Sequence, residues 1–125
     1  MGLGLKLIFL RDQTEVAKDE IFVRDTLEFE SDRRILDQFE SPYREPTVPV
    51  TVTPQPLPPR TRLVIYEEAG ELRRSADRYG TPLTFVFVRE LRVLRLPLNP
   101  HLKNIAIKAF IDALPAEIPV ILWWK

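Results

Sequence analysis

The sequence predicts an α+β or α/β fold: a single mixed β-sheet with two to three helices packed on it. Three observations lead there. Apolar residues alternate in short runs such as Leu3, Leu5, Leu7 and Phe9; elsewhere they recur at helical spacing between capping residues; and in the second half of the chain the two rhythms take turns as strand, helix, strand, helix, strand. With 125 residues there is room for one core, so residues 1–125 read as one domain interrupted by a proline-rich arm at 41–60.

"GLGLKLIFL" opens as an alternating strand and becomes apolar on both faces once Ile8 and Leu10 join. In "EIFVRDTLEFE", Ile21, Val23, Leu27 and Phe29 fall at even spacing between charges, which predicts a second, half-exposed strand. Ser31 is placed to cap a helix over 32–40, with Asp32 in its first turn and Ile35, Leu36 and Phe39 on one side.

The arm holds seven of the chain's twelve prolines, at 42, 46, 49, 54, 56, 58 and 59. Between them Val48, Val50 and Val52 share one face, so residues 47–53 read as an edge or arm strand and 54–60 as a polyproline-like spacer. Proline spacing at 56 and 59 suits an SH3 ligand, but Thr61 stands where such a ligand carries arginine.

Beyond it, "RLVIY" reads as a strand. Ala69, Leu72, Ala76 and Tyr79 suggest a helix over 68–79 that ends at Gly80. "TPLTFVFVRELRVLRL" supplies one long bent strand or a pair. Asn99 and Pro100 then start a helix over 100–114 whose expected buried stripe is Leu102, Ile105, Ala106, Ala109, Phe110 and Ala113. "IPVILWW" is the last strand.

Composition is that of a folded chain, 45% hydrophobic and 29% charged. There is no cysteine and one methionine, while proline and arginine are abundant; this depletion of thermolabile types marks a hyperthermophile's protein. In composition alone the chain resembles small uncharacterised proteins of hyperthermophilic archaea and their viruses, a resemblance that implies no activity. The apolar stretch Ile118–Trp124 is far shorter than a membrane span, and the N-terminus has no cleavage-site pattern, so a cytoplasmic location with no membrane partner is expected.

Residues 1–45 carry seven basic and eleven acidic side chains and residues 46–125 eleven and seven, so the halves are net −4 and +4. Most chemistries lack their residues. One histidine, His101, and no cysteine remove zinc and Cys–His sites, and the four glycines fit no phosphate-cradling loop. No cofactor is expected. Glu67 and Glu68, at the end of a strand, are the best oxygen ligands on offer for a metal-dependent phosphodiesterase.

The function expected first is therefore a non-enzymatic, self-associating homodimer or higher oligomer. Its interface would include Val48, Val50 and Val52 of the arm and the neighbouring Trp123 and Trp124, whose side chains must face opposite ways on a strand. The alternative is a nucleic-acid-binding module, with Arg73, Arg74 and Arg78 on one helix and Arg89, Arg92 and Arg95 on the next strand as phosphate contacts.

Overall fold

The two most apolar runs of the chain, one near each end, lie side by side. In the computed structural model, which describes residues 3–43 and 45–125, Leu5–Phe9 (β1) pairs antiparallel with Pro119–Trp124 (β8), Leu5 opposite Trp124 and Phe9 opposite Val120. Met1, Gly2 and Arg44 lie outside the described residues. Asp25–Glu28 (β3) flanks β1, and Thr84–Phe87 (β7) flanks β8. Gln55–Pro56 (β4) adds the far edge, giving one five-stranded sheet in the order β3-β1-β8-β7-β4.

Side chains of a strand alternate between faces, and here each face has its own cover. Leu5, Leu7 and Phe9 of β1, with Val120, Leu122 and Trp124 of β8, pack against the helices Arg33–Leu36 (α1), Val88–Leu91 (α2) and Leu102–Ala113 (α3). Ile8 and Leu10 with Ile121 face the other way, onto Ile21 and Leu63. Those two residues belong to a second sheet of three strands, Glu20–Phe22 (β2), Arg62–Glu67 (β5) and Gly70–Arg74 (β6), in the order β2-β5-β6. The molecule is thus helices, large sheet, small sheet.

Several expectations change. One mixed sheet becomes two, since the central strands are apolar on both faces and need cover on both. Only the small sheet is mixed: β2 runs parallel to β5, and β6 antiparallel to it. The expected strand over 20–30 divides, β2 joining the small sheet and β3 the large one.

The expected helix at 68–79 is instead a β-hairpin. β5 and β6 close around Glu68 and Ala69, Glu67 opposite Gly70, and Gly70 adopts a φ of 121° that other residues rarely take. Leu72 is the only large aliphatic residue of that stretch, too little for a helix to bury, whereas "RLVIY" needs a strand beside it. The second half accordingly runs three strands, two helices and a strand. After β7 the chain turns directly into α2, which replaces the expected long strand.

The helix over 32–40 shortens to α1. Its cap is Asp32, not Ser31, accepting from the Arg34 amide at 2.9 Å. Within the protomer, Val52 of the arm bridges Phe39, the Val52 amide donates to the Gln38 carbonyl at 3.0 Å, and Asp37 holds the Thr47 hydroxyl at 2.7 Å. The strand paired at the sheet edge is β4, within the expected spacer, not the full 47–53 run.

The helix over 100–114 is present as α3, but rotated from the expected face. His101, not Asn99, caps it, its Nδ1 accepting from the Lys103 amide at 3.0 Å. Asn104, Ile107 and Ile111 point inward. The fully buried Asn104 accepts from the Glu30 amide at 2.8 Å and donates to the Glu30 carbonyl at 3.1 Å, which ties α3 to the end of β3 and fixes which side faces the core. Ile111→Ala should therefore cost about 2–5 kcal/mol of stability, and Ile105→Ala, measured on isolated protomers, under about 1 kcal/mol. Denaturant unfolding checks both, and equal losses would mean the helix is turned the other way.

Candidate interaction surfaces

The outer side of α3 is apolar. Leu102 is 80% exposed, Ile105 and Phe110 are each 42% exposed, and Ala106, Ala109 and Ala113 complete an open stripe along the whole helix. Leu98, in the segment before the helix, is 87% exposed. Charge borders the stripe but is neutralised within the protomer: Lys108 Nζ lies 2.6 Å from Asp112 and Lys103 Nζ 3.9 Å from Glu30. This face was the sequence's expected core stripe, and it lies in the open because Asn104 takes the inward side.

The residues expected at an interface through the arm are dispersed. Val52 and Trp124 are buried within their own chain, Trp124 edge-on to Phe39 with ring centroids 6.1 Å apart. The two tryptophans do face opposite ways, but both sides of β8 are covered within the protomer: Trp124 packs under the helices and Trp123, half-buried, against the small-sheet side. Val48 is half-buried and lines a groove of about 620 Å³ with Val93, Arg95 and Leu96, whereas Val50 is exposed and lines a separate, smaller cavity.

The arginines do not form one face. Arg73 lies on β6 and is paired with Glu20 at 3.1 Å and Glu71 at 3.2 Å. Arg89 sits over the Phe87 ring, 4.4 Å from its centroid, and Arg92 donates to the Leu114 carbonyl at the end of α3. Arg95 borders the groove. Arg74 and Arg78 remain together, lining a depression of about 260 Å³ with Trp123 and Lys125. Glu67 and Glu68 are exposed at the hairpin turn, and among the described residues no group of three metal-ligating side chains forms.

A polar cluster that sequence reasoning missed lies behind that depression. The Asp77 carboxylate is buried and organises the turn after β6: Oδ1 accepts from the Tyr79 amide at 2.9 Å and the Thr81 amide at 3.2 Å, and Oδ2 accepts from the Tyr43 hydroxyl. The Tyr43 ring touches Tyr79 and Trp124 at centroid distances of 5.0 and 6.2 Å. Together Tyr43, Asp77, Thr81 and Trp124 help line a cavity of about 290 Å³. The signal for it was the "DRYGT" turn, with Gly80 at a φ of 87°. Burial first, and then the hydrogen bond to Asp77, push the Tyr43 phenol up to about 12. Both oxygens of Asp77 are engaged in holding structure, which makes the cluster a brace between arm and turn.

No family model matches the chain, and neither does any curated protein or solved structure. Among the described residues no helix is long and apolar enough to cross a membrane.

Tyr43 holds its proton more tightly folded than unfolded, so its contribution is complete below the unfolded phenol's value near 10 and is lost as pH rises through about 12. Tyr43→Phe should cost about 1–3 kcal/mol at neutral pH by leaving Asp77 short of a donor. The gap between parent and variant should narrow between those two pH values in thermal unfolding. A gap that stays constant would mean the hydroxyl bond does not stabilise the fold.

Proposed function

We propose that the protein is a non-enzymatic, self-associating protein of a thermophile's cytoplasm, whose protomers pair as a homodimer through the outer face of α3. The observation that carries this reading is the open stripe of Leu102, Ile105 and Phe110. Surface apolar residues scattered singly are ordinary, but a stripe aligned along one helix marks a contact surface.

Its chemistry suits a second copy. About a two-fold axis between Ile107 and Lys108, Leu102 comes level with the partner's Ala113, Ile105 with the partner's Phe110, and Ala106 with the partner's Ala109. Small residues at the centre let the two helices approach, and the larger pairs fill the layers on either side. Lys103 and its copy are then about 13 Å apart at 1.5 Å per residue, beyond the roughly 10 Å over which salt leaves charges to interact. Internal ion pairing of the bordering lysines makes the face a poor match for an anionic surface. One edge of each sheet is blunted as well, by Pro56 on β4 and by Glu71, Arg73 and Arg74 on β6, which disfavours pairing through those strands.

Sedimentation equilibrium of the parent at micromolar concentration should give twice the protomer mass of 14.6 kDa. Ile105→Lys should weaken association at least about tenfold, the equivalent of 1.4 kcal/mol, while leaving the fold intact. Val50→Ser should leave it unchanged. A parent that stays monomeric would refute self-association; a dimer weakened by Val50→Ser and indifferent to Ile105→Lys would move the contact to the arm.

A further inference from the structure

We propose that the depression beside Trp123 binds one nucleoside phosphate unit, with its base against the indole and its phosphate between Arg74 and Arg78. Trp123 is the second-to-last residue of β8, directed to the side of the sheet away from α3, so this site and the α3 face are separate. Its cross-strand neighbour on β1 is Lys6. The depression of about 260 Å³ is lined by Arg74, Asp77, Arg78, Trp123 and Lys125. Ligand pockets usually enclose about 300–1,000 Å³, so this one suits a single monomer unit better than a dinucleotide cofactor.

Two features distinguish Arg74 and Arg78 from most of the other arginines. Both residues are exposed, and among the described residues neither has an ion pair or a side-chain hydrogen bond, whereas Arg24, Arg33, Arg34, Arg60 and Arg73 all meet carboxylates. They are also held in place from behind. The Arg78 amide donates to the Trp124 carbonyl at 3.3 Å, and Asp77 ties down the turn through the Tyr79 and Thr81 amides. Asp77 also lines the depression, but both of its oxygens accept hydrogen bonds, from the Tyr79 and Thr81 amides and the Tyr43 hydroxyl, and so hold the turn that carries Arg78. Lys125 shares its charge with Glu28 at 2.8 Å, which leaves Arg74 and Arg78 as the unshared cations among the residues lining the depression.

Trp123 is half-buried, and part of it lines the depression while the rest packs against the small-sheet side. Among the described residues the guanidinium recorded over a ring is Arg89 on Phe87; none covers Trp123. A planar base on the indole with an anion a short distance away is the chemistry of a nucleotide, and guanidinium groups meet phosphate oxygens in matching forks. The unit has two sources, a free nucleotide or one residue of a single strand.

The test titrates the full chain with AMP, adenosine, inorganic phosphate and a labelled mixed-sequence single-stranded DNA, following tryptophan quenching and label anisotropy. AMP should quench tryptophan fluorescence at concentrations where adenosine and phosphate do not. If AMP and the strand bind comparably the source is the free nucleotide, and if the strand binds far more tightly it is the strand; either supports the site. For the strand, two phosphate contacts predict a slope of log affinity against log salt of about −1.4. Trp123→Leu should weaken binding on the order of tenfold or more. Arg74→Ala with Arg78→Ala, both exposed and so safe for the fold, should abolish the salt dependence. Phosphate competing as well as AMP would reduce the site to an anion site and overturn the proposal. So would affinity unchanged in the double arginine variant, or no quenching of the parent at millimolar AMP.

Discussion

The pairing of β1 with β8 is the constraint on which the rest of this structure depends. These strands meet over five residue pairs at the centre of the large sheet, and nearly every side chain they carry is apolar. A strand with one apolar face can leave the other in water; these cannot. Leu5, Leu7, Val120 and Leu122 require the helices, while Ile8 and Ile121 require the small sheet. Each such residue fully buried contributes about 1.5–3 kcal/mol, so stripping either layer would expose several of them at once.

A second constraint follows from how the helical layer is attached. α3 is fixed through Asn104, whose amide group pairs with the backbone of Glu30 in the manner of an added strand residue. Turning α3 the other way would leave the Asn104 amide and the Glu30 backbone groups without each other, and each buried polar group left unsatisfied costs about 1–3 kcal/mol. The orientation that satisfies Asn104 is the one that presents the apolar stripe outward. The helix orientation and the exposed apolar face are therefore set by the same two hydrogen bonds.

Much of the architecture was legible in the residues, and the failures have physical causes. β1, β8 and α3 declare themselves through long apolar patterns and clear boundaries, whereas the proline-rich arm pairs at the sheet edge only at Gln55–Pro56, outside the expected 47–53 strand. The hairpin at β5–β6 was hidden because Ala69, Leu72, Ala76 and Tyr79 happen to recur at helical spacing, although only Leu72 among them is a large aliphatic residue. The facing of α3 was unreadable because a polar residue decides it: periodicity counts apolar positions and gives no weight to an asparagine that finds a backbone partner 74 residues away. The gathering of Trp123 with Arg74 and Arg78 is likewise a tertiary fact, since β6 and β8 belong to different sheets.

Native-state hydrogen exchange on the intact protein tests the central role of the β1–β8 ladder most directly. The amides of Ile8, Ile121 and Leu122 should exchange only through global unfolding, with the largest opening free energies in the chain, while those of β6 should open locally at lower cost. If the β8 amides instead exchange as readily as those of β6, the ladder's central role is contradicted, and the two-faced burial of this strand is not what holds the molecule together.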